Sequence, residues 1–383
     1  MIDDQLRIKY AEIFNSSPEL MVKSPGRINI IGEHTDYNNG FVLPAAIDKG
    51  VYIAISKRND TEIQLYSLDY DEKYVTNIED VQYGKSLWTK YILGVTKILL
   101  KNYTLSGYNL AVAGDVPLGS GLSSSAALSC ATTFAINELF DLHLSKLDIA
   151  KIGQQTEHES VGVRCGIMDQ FASVFGEENS LIQLDCRSLA YEYIPIKLDG
   201  YEILLLNTNV KHSLASSAYN KRRESCEAAV EIVSQKYEKI NSLRDVTLQQ
   251  LEELVKPISA EIYQKAKFVV EENDRLLNAT KALKSNNIKE LGKLLFAAHW
   301  ALSKEYEVSC EELDYLISSV ENFPEVLGAR MMGGGFGGCT INIVESGKSD
   351  LVVSKLKQAY FDKFNLELLP IKVKISKGTH IIN

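Results

Sequence analysis

The sequence contains no paired cysteines. Its six, Cys130, Cys165, Cys186, Cys226, Cys310 and Cys339, stand singly with no C-x-x-C among them. That spacing excludes a disulfide framework and the usual structural zinc sites, and it suits free thiols in a reducing, cytoplasmic compartment. No apolar run approaches the roughly 18 residues of a membrane-spanning helix, so no membrane partner is expected. Positive charge is in short supply: 41 Lys and Arg against 50 Asp and Glu leave a formal net charge of −9. Without a basic stripe to displace phosphate counterions, a nucleic-acid partner is disfavoured. An anionic small molecule is not, because it needs only local positive potential. Proline is scarce, eight in 383 residues, and 45% of the residues are hydrophobic, the balance of a globular chain long enough for two domains. No obligate protein partner is evident.

What is present reads first as regular structure. The opening MIDDQLRIKYAEIF starts acidic and turns amphipathic, which predicts a helix over about Asp4–Phe14 and not a signal peptide. β-rich runs follow near Gly50–Ser56 and Glu62–Leu68, then a helix over about Leu87–Lys101 and a strand at Tyr108–Ala113. Leu128, Ala131, Ala135, Leu139 and Leu142 recur at three- and four-residue spacing and form one apolar helical stripe. Another helix is expected from Ser145 to about Val161, with strands at Leu181–Asp185 and Glu202–Asn207. From Ala218 to Leu302 the chain is rich in Glu, Lys, Ala and Leu, predicting several long helices. It closes with CTINIV, a helix over about Ser349–Phe364, and IKVKIS. Pro195 and Gly200 punctuate the middle, so an α+β second half is expected to begin near residue 195.

Three glycine-rich stretches carry the chemistry. GDVPLGSGLSSSAAL, Gly114–Leu128, has no lysine or arginine and therefore is not a Walker A loop. Gly119 and Gly121 nevertheless permit a nest of converging N–H groups, and the helix beginning near Ser123 aims its positive end at the same point. A serine N-cap after a tight turn explains one serine and leaves two idle. SPGRINIIGEHTDYNNG, Ser24–Gly40, places Arg27, Glu33, His34 and Asp36 at the end of an apolar strand. Carboxylates beside an imidazole suit a polyhydroxylated ligand, although DYNNG alone also fits a solvated hairpin turn. MMGGGFGGCTINIV contains G-x-G-x-x-G from Gly333 to Gly338, but a strand follows it where a dinucleotide loop needs a helix, and no H-R-D or D-F-G accompanies it. It is either a site or a hairpin packed on the other domain.

Taken together, PGRINIIGEH, PLGSGLSSSAAL and GGGFGGCTINIV, in that order, resemble the GHMP superfamily of small-molecule kinases. GRINIIGEHTDYNNG is similar to the signature of the galactokinase family within it, as are GVRCGIMDQF, SSAYNKRRESCEAA and LSKEYEVSCEELDYL. Matching segments run from about residue 22 to 340. The resemblance implies a two-domain α+β fold: a ribosomal-S5-domain-2-like α/β domain over residues 1–195 and a ferredoxin-like α+β domain over 196–383, whose last strand is free to return to the first. The active site would lie between them. It implies transfer of phosphate from ATP to the anomeric C1 hydroxyl of D-galactose, the entry step of galactose catabolism, with Mg²⁺. A kinase for N-acetylgalactosamine or L-arabinose is the nearest alternative. A non-catalytic galactose and ATP sensor is another, although GLSSSAAL is complete here.

Residue roles follow from the same likeness. Asp169 in GIMDQ would accept the proton of the anomeric hydroxyl, with Arg27 beside it neutralising charge on the moving phosphoryl. Glu33, His34, Thr35 and Asp36 would hold the sugar, with Gly166 and Tyr219. Gly119, Ser120, Gly121, Leu122, Ser123, Ser124 and Ser125 would wrap the ATP phosphates. Ser125 and Glu157 would ligate Mg²⁺, and Trp88, Tyr91 and Ser67 would form the adenine pocket. The positive charge missing from the serine loop is thereby divided among backbone N–H groups, a metal ion and Arg27.

Overall fold

A computed structural model describes residues 2–117, 119–210 and 215–382. The first half opens with helix α1 (Ile2–Phe14) and strand β1 (Leu20–Asn29), followed by β2 (Phe41–Val42), β3 (Pro44–Lys57), β4 (Glu62–Ser67) and β5 (Glu72–Asn77). Helix α2 (Leu87–Leu99), β6 (Tyr108–Gly114), α3 (Ser124–Phe140), α4 (Lys146–Thr156), α5 (Met168–Phe175), β7 (Ser180–Asp185) and β8 (Tyr191–Pro195) complete it. Helix α3 is sunk between neighbours, so its residues from Ala126 to Thr133 are all buried, not only the expected stripe. With α2 it seals one face of the sheet through a core that includes Leu65, Ile92, Leu110 and Ala131.

Beyond Gly200 come β9 (Tyr201–Asn207), α6 (Ala215–Ser234), a short α7 (Leu248–Gln250), α8 (Ala260–Lys284), α9 (Ile288–Ala301) and α10 (Glu311–Val320). A hairpin of β10 (Val326–Met331) and β11 (Cys339–Glu345), then α11 (Ser349–Phe364), β12 (Leu369–Lys372) and β13 (His380–Ile381) end the chain. Strands 10, 11, 9 and 12 form an antiparallel sheet in that order. The terminal IKVKIS run divides: its start adds to β9 and Ile375 bridges to Ile47, and beyond the run β13 pairs with β1. The six-stranded sheet therefore runs β13-β1-β3-β6-β4-β5. Ile28 and Ile31 share one core with Leu205, Leu276 and Ile341, so the two halves are joined through apolar packing.

Three local departures shape the site. DYNNG is not a solvated hairpin: Asp36–Asn38 form a 3₁₀ turn in which Asp36 and Asn38 are buried. The helix expected over Ser145–Val161 begins with a Ser145/Asp148 capping box, is α-helical to Thr156, and closes in a π-helical turn, Glu157–Val161. Such wide turns recur at functional sites. A short helix missed in the sequence, α5, opens at Met168 and puts Asp169 in its first turn.

Candidate active site

Strand β1 delivers Arg27 to the mouth of the serine loop. Its N–H donates to the Leu122 carbonyl at 3.1 Å. The preceding residue is glycine for a visible reason: a Cβ on Gly26 would stand 2.6 Å from that carbonyl. Within the loop Gly119 and Gly121 adopt φ of +72° and +73°, and Ser123 follows at +59°, a left-handed value uncommon outside glycine. The first bond of α3 runs from Ala127 N–H to Ser123 C=O at 3.0 Å, so the amides of residues 124–126 precede the ladder at the positive end of the helix.

Arg27 is 3% exposed and donates from Nε to Asp169 Oδ1 at 2.8 Å and from Nη1 to the Gly121 carbonyl. Burial opposes its charge, but the carboxylates of Asp169 and Glu33 outweigh that and raise its pKa. The second Asp169 oxygen accepts the Ser123 hydroxyl at 2.5 Å. The Ser123 hydroxyl is thus turned toward the carboxylate, while Ser120 spends its hydroxyl on the Pro117 carbonyl at 2.6 Å.

Three cavities meet here, and Ser125 lines all of them. One of about 210 Å³ is bounded by Arg27, Glu33, His34, Asp36 and Asp169, with Gly166, Tyr219 and Glu157. A second, of about 200 Å³ and mostly apolar, has Ser67, Trp88, Tyr91 and Ser124 in its wall. A third, of about 260 Å³, lies under Gly119, Ser120, Gly121, Leu122 and Ser123. Arg27 and Asp169 face both the first and the third, and Tyr91 separates the first from the second. Of the residues expected in the site, Thr35 alone lines none of these cavities. It is fully buried, and its hydroxyl is taken by the carbonyls of Gly32 and Phe41.

Several titratable groups lining the first cavity are strongly perturbed. Burial, reinforced by the Asp169 charge, pushes Asp36 up to about 6. A Cβ on Gly166 would collide with the Asp36 carboxylate, which is why that turn needs glycine. Burial pulls His34 down to about 3, so its imidazole is neutral. Glu157 is 5% exposed and is pushed up to about 7 by burial, with the Asp169 charge adding. Among the described residues no lysine or arginine ion-pairs with Glu157, and the Tyr91 hydroxyl approaches it only at 3.4 Å. A buried carboxylate without a counter-cation, next to the Ser125 hydroxyl, fits a hard divalent ion whose remaining ligands are phosphate and water. No group of three or more His, Cys, Asp or Glu suited to a metal occurs among the described residues, so such an ion would depend on the nucleotide.

Arg330 was not legible as a site residue. Fully buried on β10, it donates to the carbonyls of Asn29, Ile30 and Met331 and, at 2.9 Å, to Glu33 Oε1. The same oxygen accepts Gly333 N–H at 2.8 Å. The glycine-rich hairpin loop is thereby placed across the first cavity, with Gly333 and Gly334 in its wall. Both readings of that segment, site and interdomain packing, describe it.

Comparison with known proteins places this geometry. The chain matches the galactokinase galactose-binding signature over residues 8–57, the GHMP kinase N-terminal domain over 90–177 and the GHMP kinase C-terminal domain over 279–363. It is 43% identical to the galactokinase of Thermotoga neapolitana over 364 residues, 95% of this chain and all of that one. It is 39% identical to that of Clostridium acetobutylicum over the full length of both. The crystal structure of Lactococcus lactis galactokinase complexed with galactose superposes with a TM-score of 0.95 at 34% identity, covering 99% of this chain and all of that one. Methanococcus jannaschii mevalonate kinase shares the fold, with a TM-score of 0.66 at 19% identity. No helix among the described residues is long and apolar enough to cross a membrane. The two-domain architecture, the signatures and the full-length identity agree: the chain belongs to the galactokinase family, ATP-dependent sugar kinases of the GHMP superfamily.

Proposed function

We propose that the chain transfers the terminal phosphoryl group of ATP to the anomeric hydroxyl of D-galactose, yielding galactose 1-phosphate and ADP. The observation that carries this reading is the Arg27–Asp169 pair, 2.8 Å apart, at the junction of the polyol cavity and the cavity under the serine loop. Residues 1–195 act as the domain that binds the sugar and the ATP phosphates and 196–383 as the C-terminal domain, which adds Tyr219 and the glycine-rich hairpin to the site and returns its last strand to β1. The sugar occupies the first cavity, gripped by Glu33, His34, Asp36, the Gly166 backbone and Tyr219. Adenine lies against Trp88 and Tyr91, near Ser67, and the phosphates lie under Gly119–Ser125.

Phosphoryl transfer asks mainly for alignment and charge stabilisation. Asp169 orients the anomeric hydroxyl and takes its proton; that hydroxyl is more acidic than an ordinary alcohol, so a carboxylate suffices as base. Arg27 fixes Asp169 and brings positive charge to the path of the phosphoryl. Thr35 shapes the turn that presents its neighbours. Ser125 and Glu157 would hold Mg²⁺, which when bound supplies charge neutralisation on the terminal phosphates. The free state of all six cysteines supports a cytoplasmic setting.

The test is ADP release from Mg-ATP with a panel of sugars, alongside Asp169→Ala. Galactose-dependent release is expected, with little from glucose, N-acetylgalactosamine or L-arabinose, and Asp169→Ala should lose turnover while calorimetry still detects galactose binding. Near-normal turnover in that variant removes Asp169 from the mechanism. Calorimetric galactose binding without release from any sugar identifies a sensor instead.

A further inference from the structure

Four hydrogen-bonding groups run in line away from the polyol cavity. His34 Nε2 lies 3.2 Å from the Gly334 carbonyl, and its Nδ1 lies 2.8 Å from the Tyr37 hydroxyl. That hydroxyl is 2.7 Å from the Tyr306 hydroxyl, which is 3.3 Å from Cys226 Sγ. His34, Tyr306 and Cys226 are all buried, so water does not complete these bonds.

The direction of every bond is forced from one end. A carbonyl oxygen has no proton to give, so Nε2 carries the hydrogen and donates to Gly334. The imidazole is neutral, held so by burial and the nearby charge of Arg222. Its Nδ1 is therefore a bare lone pair that accepts from Tyr37. With its proton spent there, the Tyr37 oxygen accepts from Tyr306, and the Tyr306 oxygen accepts from the Cys226 thiol.

We infer that Tyr37 and Tyr306 are positioning residues that hold the His34 ring by its Nδ1 lone pair, so that its Nε2–H ties the Gly334 carbonyl of the glycine-rich hairpin at the edge of the polyol cavity. The inference rests on the first cavity being the sugar site. Gly333 and Gly334 both stand in the wall of that cavity. In the other tautomer a lone pair would face the Gly334 carbonyl, and the hairpin would lose that tie to the sugar-facing turn.

The surroundings are built to hold this arrangement. His34 sits at φ +62°, left-handed for a non-glycine residue, a conformation that persists only where neighbours over-determine it. The rings of Tyr306 and Tyr219 pack on the imidazole with centroids 4.8 and 5.2 Å away. Tyr306 is itself clamped: Arg222 Nε donates to its carbonyl at 2.7 Å, and the buried Lys265 ammonium binds the Glu305 carbonyl at 2.7 Å and Glu307 Oε2 at 2.6 Å. This accounts for a fully buried lysine that the phosphoryl-transfer chemistry does not use. It also gives the LSKEYEVSCEELDYL segment, which holds Tyr306, a link to the sugar site.

The experiment is nitrogen-15 NMR of histidine-labelled protein, unliganded, on the unmodified chain, Tyr37→Phe, Tyr306→Phe and the double variant, with His34→Asn to assign the resonances. The unmodified chain should show a protonated Nε2 and a hydrogen-bonded, unprotonated Nδ1. In Tyr37→Phe and the double variant the Nδ1 resonance should move to the value of a free imine nitrogen, and the galactose KM should rise about tenfold, the scale for losing one buried hydrogen bond, with kcat little changed. Tyr306→Phe, which keeps the direct bond to His34, should give a smaller change of the same sign. The double variant leaves no stranded hydroxyl, so a purely structural role predicts recovery there, whereas positioning predicts none. An unmoved Nδ1 resonance in Tyr37→Phe and the double variant overturns the inference, as does recovery of KM in the double. Because the tautomer is read without sugar, failure of the sugar assignment would show separately, as absent galactose-dependent turnover in the unmodified chain.

Discussion

If Glu157 holds Mg²⁺ as proposed, lowering the pH from 8 to 6 should weaken the apparent affinity for the metal about tenfold. Its carboxyl is moved from 4.5 to about 7, first by burial and then by the charge of Asp169. A metal ion binding there must displace the proton, so apparent affinity follows the ionised fraction, about 0.1 at pH 6 and about 0.9 at pH 8. The same shift has a stability sign that can be checked without metal. A carboxyl with a raised pKa in the folded state favours folding below its unfolded value near 4.5, and that contribution disappears as pH rises through about 7. The shift corresponds to about 3 kcal/mol at most. Glu157→Gln carries no such titration. In chelator at pH 8 it should be more stable than the unmodified chain by up to about 3 kcal/mol, with the advantage vanishing toward pH 4.5. Two assays decide the matter: Mg²⁺ titrations of turnover at several pH values, and urea unfolding in chelator. ATP phosphates titrate in the same range, so Glu157→Gln serves as the control that keeps the nucleotide's slope and loses the protein's. Identical pH slopes in the two proteins, or a Glu157→Gln chain less stable at pH 8, would refute the reasoning.

Other perturbations have equally direct outcomes. Arg27→Ala should lower kcat by roughly 10²–10³, the scale for losing one transition-state electrostatic contact, and steady-state kinetics showing less than tenfold would place the charge elsewhere. Arg330→Met strands the buried Glu33 and three carbonyls, so urea unfolding should show a loss of about 3–5 kcal/mol; a loss under about 1 kcal/mol would mean that Glu33 finds another partner. Gly335 has φ +84°, and a Cβ there would collide with the Val308 carbonyl. Gly335→Ala should therefore lower stability by about 2 kcal/mol or more, and an unchanged melting temperature would show that the hairpin loop moves aside freely.

How much of this was legible in the sequence depended on whether the signal was local. Helix α11 was expected over Ser349–Phe364 and lies there, because its apolar spacing is contained within the segment. The shape of the serine loop was legible because its glycines and the helix start lie within a few residues of one another: Gly119 and Gly121 are left-handed and α3 begins at Ser124. IKVKIS shows the opposite case: alternation announced a strand but not which sheet would take it, and the chain spends its first residues on β9 and then departs for β1. The π-helical turn that brings Glu157 inward leaves no mark in a pattern written for α-helical periodicity. Arg330 is the extreme. In GARMMG it reads as one charged residue in an otherwise apolar strand, and its role exists only because Asn29, Ile30 and Glu33, some three hundred positions earlier, offer three acceptors at one point. Tyr306 is the same kind of residue, an aromatic inside a helical run whose hydroxyl matters through Tyr37, 269 positions away. The groups that touch ligand are short-range motifs because chemistry fixes their spacing. The groups that hold them in place are bound by no such spacing, since any element that reaches the back of the site will serve, and only the assembled fold reveals which one does.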